Sequence, residues 1–416
     1  MTESRATARA TAKDGRDASP SDIDVKRIVS LLGAHRDDMV ALLTELASIE
    51  SPSLEPDTQK PVQDVLRRSF EALGLESEFF AGTRTGGHLH FRPAGHAEGD
   101  GPVQVLIGHT DTVWPVGTLE RMPVVHDEEA DVLRGPGVFD MKAGLVQMVF
   151  ALRALSELDL LPSVVPTVFV NSDEEIGSTE SQSLVERFAR GASRVLVLEP
   201  ALGLEGRIKT TRRGVGEFAV RVIGKAAHSG LAAGEGVSAI HEMSHVIQAL
   251  HDLTDTERGI GVNVGTVSGG TRANVVAAES RAVVDVRVSS QEDARSVEAA
   301  IRSLEATTPG TRLEIEGAVD RAPMEATPAN QVLWKAVEGC GHRLGLDLVE
   351  GCSGGASDGN TTSLYTATID GLGPVGDGAH ALHEHIDVSS LVERTALLAL
   401  TVMLPSLPAS SPWPNK

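Results

Sequence analysis

The chain has 416 residues, 41% of them hydrophobic and only 3% aromatic, so it can bury a large core of small and branched aliphatic side chains, and its length favours two domains. Its formal net charge is −21, from 37 Lys and Arg against 58 Asp and Glu, a field that repels nucleic acid and anionic membrane but leaves room for local arginines to attract an acidic substrate. Two cysteines, Cys340 and Cys352, exclude a disulfide framework and a thiolate metal site and suit a reducing cytoplasm, and no run reaches the ~20 apolar residues of a membrane span.

Residues 1–22 are rich in Ala, Thr, Ser, Arg and Asp without an apolar stretch, which predicts a disordered tail and no secretory signal. Residues 24–49 have helical spacing, with Gly33 dividing them into two pieces, and residues 61–73 predict a second amphipathic helix that Gly74 ends. Three short apolar runs follow, each read as a buried strand. Val103 to Gly108 leads into His109-Thr110-Asp111, Val164 to Val170 into Asn171-Ser172-Asp173-Glu174-Glu175, and Arg194 to Leu198 into Glu199. Between the first two, a Gly-Pro-Gly turn delivers Asp140 ahead of a buried helix over 143–155, and 178–189 is helical again. This alternation is the α/β pattern, in which ligands bind beyond the carboxyl ends of the strands.

The pattern changes near residue 210. Residues 217–222 and 280–289 alternate as half-buried strands, with helices at 236–253 and 291–306, which predicts a small α+β domain with one sheet face covered. Past Pro323 the α/β style returns, with a helix at 329–344 and a strand at 366–369. The expected organisation is a catalytic domain over 23–209 and 323–405, an inserted domain over 210–322, and a loose tail over 406–416.

His109, Asp111, Asp140, Glu174, Glu175 and Glu199 can therefore meet at one sheet edge. Imidazole with several carboxylates suits zinc or another divalent first-row metal, and the carboxylates are too many for one tetrahedral ion, which points to two. Adjacent carboxylates such as Glu174 and Glu175 repel unless a cation or proton separates them; a solvated acidic loop is the plain alternative. Asp140 could equally cap the helix that follows it. Asp111, two residues from His109, can fix the imidazole or orient the site more loosely. Near the C-terminus a glycine-rich loop presents His380, His383 and His385, and spacing alone does not choose among them.

Taken together, these segments resemble the di-zinc metallopeptidase and aminoacylase family over residues 25–405, most closely its glutamate carboxypeptidase branch. The resemblance implies an α/β, mixed-sheet exopeptidase domain with an inserted ferredoxin-like dimerisation and lid domain. It implies two Zn2+ per subunit, with Co2+ or Mn2+ as alternatives. His109 and Glu199 would hold one ion, Glu175 and His380 the other, with Asp140 bridging and Asp111 behind the ligands. Glu174 would be the general base acting on a metal-bridged water. Gly224-Lys225-Ala226-Ala227-His228-Ser229-Gly230 resembles the segment whose histidine reaches the partner subunit's site in a homodimer; a solvated loop is the alternative for His228. Arg287 would clamp a substrate carboxylate, and Asn274 and Gly355 would contact substrate, although Ala277 stands where the family usually has proline. Arg207 falls where that branch can carry a basic residue, and with Arg212 and Arg213 it forms a basic island that a solvated loop explains as well. The implied activity is cleavage of an amide bond beside a free carboxylate in a small peptide or N-acyl amino acid. N-acyl amino-acid deacylation and dipeptide hydrolysis are the alternatives, and an inactive metal-binding protein would have no use for Glu174.

Overall fold

The computed structural model describes residues 21–97, 99–232 and 234–407. Of the expected tails, only Ser21, Asp22, Ser406 and Leu407 fall among them. The chain separates into two compact units; the second is Thr211–Glu325 with Cys352–Ala356, and the first is the remainder.

In chain order the first unit opens with α1 (Asp22–Ala34), started by a capping box in which Ser21 Oγ accepts from Asp24 N and the Asp24 carboxylate accepts from Ser21 N. The break before α2 (Arg36–Ala47) falls at His35, not at Gly33, because Asp37 and Asp38 favour a fresh helix N-terminus there. Helix α3 spans Pro56–Glu71, beginning before the expected Pro61. Pro56 takes the first position, where a fixed φ and a missing N–H cost nothing, and Pro61 lies inside the helix. Gly74, at φ 80°, turns the chain into β1 (Leu75–Phe80) and β2 (His88–Pro93). Then come β3 (Val103–His109), β4 (Val125–Asp127), β5 (Val132–Arg134), α4 (Ala143–Glu157), β6 (Val165–Asn171), α5 (Gln182–Gly191) and β7 (Ala192–Val197). Helix α5 starts later than its apolar spacing suggests because Gly177 and Ser178 both have left-handed backbone, at φ 95° and 53°.

Strand β8 (Ile208–Arg212) leads into the second unit: β9 (Gly214–Ile223), α6 (Ala239–His251), β10 (Gly261–Gly269), β11 (Glu279–Val288), α7 (Gln291–Arg302) and β12 (Arg312–Arg321). The first unit resumes with α8 (Pro328–Leu344), β13 (Glu350–Ser353, paired with β8), α9 (Asp358–Thr362), β14 (Ala367–Ile369), β15 (Gly376–Asp377), β16 (His385–Asp387) and α10 (Val388–Val402).

The main sheet of the first unit runs β1-β2-β6-β3-β7-β14. Its inner pairs β3–β6, β3–β7 and β7–β14 are parallel, while β1–β2 and β2–β6 are antiparallel. Alternation sends Leu106, Val168, Val170 and Leu196 into the large core with α1–α4, α8 and α10, and Val105, Ile107, Phe169, Val195 and Val197 to the face under α5. The short strands form an antiparallel sheet β15-β16-β5-β4. No helix among the described residues is long and apolar enough to cross a membrane.

In the second unit an antiparallel sheet in the order β10-β11-β9-β12, with one helix after β9 and another after β11, is the ferredoxin-like arrangement. Phe218, Val220, Val222, Ala282, Val284, Val286 and Val288 pack under α6 and α7. The opposite face carries the ion pairs of Arg221 with Glu279 and Glu314.

Candidate metal centre

Because β3, β6 and β7 are parallel, their carboxyl ends share one edge. His109 is the last residue of β3, Glu174 and Glu175 follow β6 in a short turn, and Glu199 lies two residues past β7. Thr110 N donates to Asn171 O at 2.9 Å and Leu198 N to Ile107 O at 3.0 Å, which fixes these exits relative to one another. Asp140 lies in an irregular turn before α4, with φ −113° and ψ 98°, and α4 has no side-chain cap. His380 follows β15 with left-handed backbone, φ 61°.

The Asp140 carboxylate lies between two histidines. Its Oδ1 is 3.3 Å from His109 Nε2 and its Oδ2 is 3.5 Å from His380 Nε2. Glu199 Oε1 is 3.4 Å from His109 Nε2, and Glu175 Oε2 is 3.1 Å from His380 Nε2. His109, Glu174 and Glu199 also offer ligand atoms within 4.8 Å of one another. Donor atoms held tetrahedrally at zinc–ligand distances lie about 3.3 Å apart, so these separations suit a first-row ion on each side of Asp140. Two buried atoms at the cluster, His109 Nε2 and Glu175 Oε1, have no hydrogen-bond partner. Unpaired buried polar atoms are rare, and a cation answers both. The charge balance agrees. Burial pushes the Glu175 carboxyl up to about 7 despite its contact with His380. Contacts with Asp140 and Glu175 push the His380 imidazole up to about 10, as concentrated negative charge around it must. His383 and His385 turn elsewhere: His383 Nε2 is 3.9 Å from Asp377, and His385 Nδ1 contacts His383 O at 2.9 Å.

Two further carboxylates hold the cluster. Asp111 is fully buried and accepts from Ser53 Oγ at 2.7 Å, Glu174 N at 3.2 Å and Glu175 N at 3.1 Å. Its backbone carbonyl, 2.9 Å from His109 Nδ1, fixes that nitrogen as the protonated one and leaves Nε2 to face the cluster. Glu384 is the residue sequence reasoning passed over. Its Oε1 accepts from Phe139 N at 3.0 Å and Asp140 N at 3.1 Å, and its Oε2 from Gly137 N and Trp114 Nε1, both at 2.9 Å. It ties the His380 loop to the Asp140 turn. The one available signal was its place four residues after His380; nothing local marks Trp114 or Ser53.

The expected substrate residues distribute between the units. In the second, His228 is exposed, and its Nδ1 accepts from Gly230 N and Leu231 N, both at 3.1 Å, so Nε2 carries the proton and points out as a donor. Ser229 N donates to Asn274 O at 3.0 Å, setting the His228 and Asn274 segments side by side. Arg287 forms a fork with Asp285, Nε to Oδ2 at 3.0 Å and Nη2 to Oδ1 at 2.9 Å. Gly355 O accepts from Arg212 Nη1 at 3.1 Å. In the first unit Arg207 Nε lies 3.9 Å from Glu205. Asp358, three residues after Gly355, is buried and accepts from Asn171 Nδ2 at 2.7 Å and Ser178 Oγ at 2.6 Å, so its carboxylate braces the β6 exit.

The profile of Peptidase family M20/M25/M40 matches residues 105–404, a span that contains every member of this cluster. The chain belongs to this family. Among its M20 relatives, carboxypeptidase G2 of Pseudomonas sp. (strain RS-16) is 29% identical over 308 residues, 72% of this chain and 73% of that one. Succinyl-diaminopimelate desuccinylase of Ectopseudomonas mendocina (strain ymp) is 26% identical over 381 residues, 85% and 96% of the two chains. The crystal structure of aminopeptidase PepT from Bacillus cereus ATCC 10987 shares the fold, with a TM-score of 0.77 over 89% of this chain and 98% of that one at 22% identity. The protein is thus a hydrolase of the metal-dependent M20 peptidases.

Proposed function

We propose that the protein is a di-zinc hydrolase that cleaves an amide bond beside a free carboxylate, in the manner of a glutamate carboxypeptidase. The observation that carries this reading is the division of the Asp140 carboxylate, one oxygen beside His109 and Glu199 and the other beside His380 and Glu175, all at 3.1–3.5 Å. Those residues would hold the two ions, zinc first by donor type and cobalt or manganese as substitutes. When bound, such ions act as Lewis acids on a carbonyl and acidify water.

The chain's own groups do the rest. Glu174, anchored through its N–H to Asp111, takes a proton from the attacking water and delivers it to the leaving nitrogen. His228, with Nε2–H as donor, stabilises the carbonyl oxygen as it gains charge. Arg287 receives the substrate carboxylate, exchanging part of its fork with Asp285, while Asn274 and Gly355 orient the substrate and Arg207 faces an acidic side chain. His228 acts in the site of a second copy, in a homodimer formed through the second unit. The exposed Ile240 of α6 and Val267 of the edge strand β10 support that interface. The unpaired Cys340 and Cys352 support a cytoplasmic location. Deacylation of N-acyl amino acids is a second reading, supported by the match that spans 96% of a desuccinylase.

Glu174→Gln tests the proposal on zinc- and cobalt-loaded protein assayed with N-benzoyl-glutamate and N-succinyl amino acids. Metal content should be unchanged and turnover should fall roughly 10²–10⁴-fold. Full turnover in this variant removes Glu174 as base, and preference for the succinyl compounds selects the deacylase reading.

A further inference from the structure

Helix α6 of the second unit carries the sequence His241-Glu242-Met243-Ser244-His245 in its first two turns. Residues four apart on a helix are neighbours on one face, and this pattern is a zinc-binding signature in which the two histidines hold the ion and the glutamate serves as base. The amphipathic character of α6 decides which of the three can do so. Ala239, Met243, Val246 and Leu250 pack in the core of the unit, and Glu242 falls on their side and is fully buried. Its carboxylate accepts from Thr307 N at 2.8 Å, Thr307 Oγ1 at 3.1 Å and Thr308 N at 2.6 Å. Taken up by that loop, Glu242 does not reach the outer face. The helix therefore has the ligands of the signature without its base.

His241 and His245 are both exposed, with ring centroids 4.8 Å apart and ring planes at 86°. Two imidazoles bound through nitrogen to one ion at about 2.0–2.1 Å have ring centres about 3.2 Å from it. For angles at the metal between about 90° and 109°, those centres lie about 4.5–5.2 Å apart. The observed separation falls inside that range, so an ion can be taken up by turning the rings without moving the helix. The backbone that presents them is fixed: Ser238 Oγ accepts from His241 N at 3.2 Å, and Ser244 Oγ donates to His241 O at 2.7 Å. His241 Nδ1 faces Thr308 Oγ1 at 3.5 Å, which leaves Nε2 as its ligand atom. The net charge of −21 draws cations toward the surface.

We propose that His241 and His245 form a surface site for a divalent first-row cation, built from the second unit alone and independent of the reaction proposed above. Water completes the coordination shell. With two nitrogen ligands and open positions, Cu2+ binds most tightly and Ni2+ and Zn2+ less so, while Mg2+ and Ca2+, which require oxygen ligands, do not compete. No hydrolysis is assigned to this ion, because Glu242 is held on the inner side of the helix.

Titration of the full chain with Cu2+, followed by calorimetry and electron paramagnetic resonance, tests the site. The centre in the first unit also takes copper, so the site is read as a difference between wild type and the variants His241→Ala, His245→Ala and His380→Ala. Wild-type protein should bind one equivalent more than His245→Ala, and that copper should show the nitrogen couplings of two imidazoles. His241→Ala should remove the same equivalent or weaken it at least roughly 10–100-fold, the cost of losing even an outer partner of a ligand. His380→Ala, which alters only the centre about Asp140, should keep it, and excess Mg2+ should not displace it. Both helix histidines are exposed, so their removal leaves the core intact, and circular dichroism checks each variant. The proposal is overturned if His245→Ala binds as much copper as tightly as wild type, if the additional copper shows fewer than two nitrogen ligands, if His380→Ala loses it, or if Mg2+ displaces it.

Discussion

Replacing Glu384 by glutamine removes charge and acceptor capacity while keeping shape. Each carboxylate oxygen takes two N–H donors: Phe139 and Asp140 on one, Gly137 and the Trp114 indole on the other. Whichever oxygen becomes NH2, two donors are left facing a third. Hydrogen bonds to a charged group contribute about 1.5–3 kcal/mol each, so the loss of two costs about 3–6 kcal/mol. Burial already pushes the Glu384 carboxyl up, against those donors, so neutralising it recovers some desolvation and places the expected loss near 3 kcal/mol. Asp140 N is among the donors set free, so the turn that presents Asp140 should loosen, with zinc affinity falling about 10–100-fold. Urea denaturation of metal-free protein and competition titration with zinc measure the two effects separately. A Glu384→Gln protein with the wild-type denaturation midpoint and the wild-type zinc affinity refutes the reasoning.

Gly144→Ala would drive a methyl into Leu198 O, at the exit that carries Glu199. The overpacking should cost about 1–3 kcal/mol and weaken zinc binding, and an unchanged midpoint in urea would show that α4 can move away. Arg194 is fully buried and donates to Gln104 Oε1 and to the carbonyls of Val402, Leu404 and Pro405. Arg194→Met should lose at least about 3 kcal/mol and speed amide exchange at the end of α10, an effect hydrogen-exchange mass spectrometry reads directly. Glu180 holds the loop at Thr83–Thr85; slight burial raises its carboxyl, but hydrogen bonds from both threonine hydroxyls and from the backbone of residues 83 and 84 bring it down to about 2. A depressed acid contributes stability above its ordinary value of 4.5 that is lost as pH falls toward 2. Protection of the loop amides should decline across that window, and Glu180→Gln should remove the pH dependence.

The strands that carry the cluster were legible because β-branched runs bounded by turn residues have few other uses. His109, Glu174, Glu175 and Glu199 all fall just past such runs. The ends of helices were less so: proline at residue 56 and proline at residue 61 look equally able to start α3, and only packing decides. Local spacing leaves His380, His383 and His385 open; the family resemblance points to His380, which the structure sets beside Asp140 and Glu175. What holds the site was hidden for a different reason. Trp114 and Glu384 are 270 residues apart in sequence, and a contact of that range leaves no periodic trace. Asp285, which occupies the Arg287 fork, lies two residues away on the same strand, but alternation marks which face is buried and not which charges on a face pair.

Strand β14 closes the β7 side of the main sheet, and α10 covers α4, yet both arrive only after residue 366. During synthesis the second unit can therefore finish folding while the first still shows an unpaired strand edge and a greasy helix to the cell. Such half-built surfaces are those that pair with neighbours and aggregate. The acids of the centre are also made well before the loop that brings His380 and Glu384 to them. A ribosome that stalls within α8 leaves a product in need of a chaperone, and production yield should depend more on completing the last fifty residues than on anything in the middle of the chain.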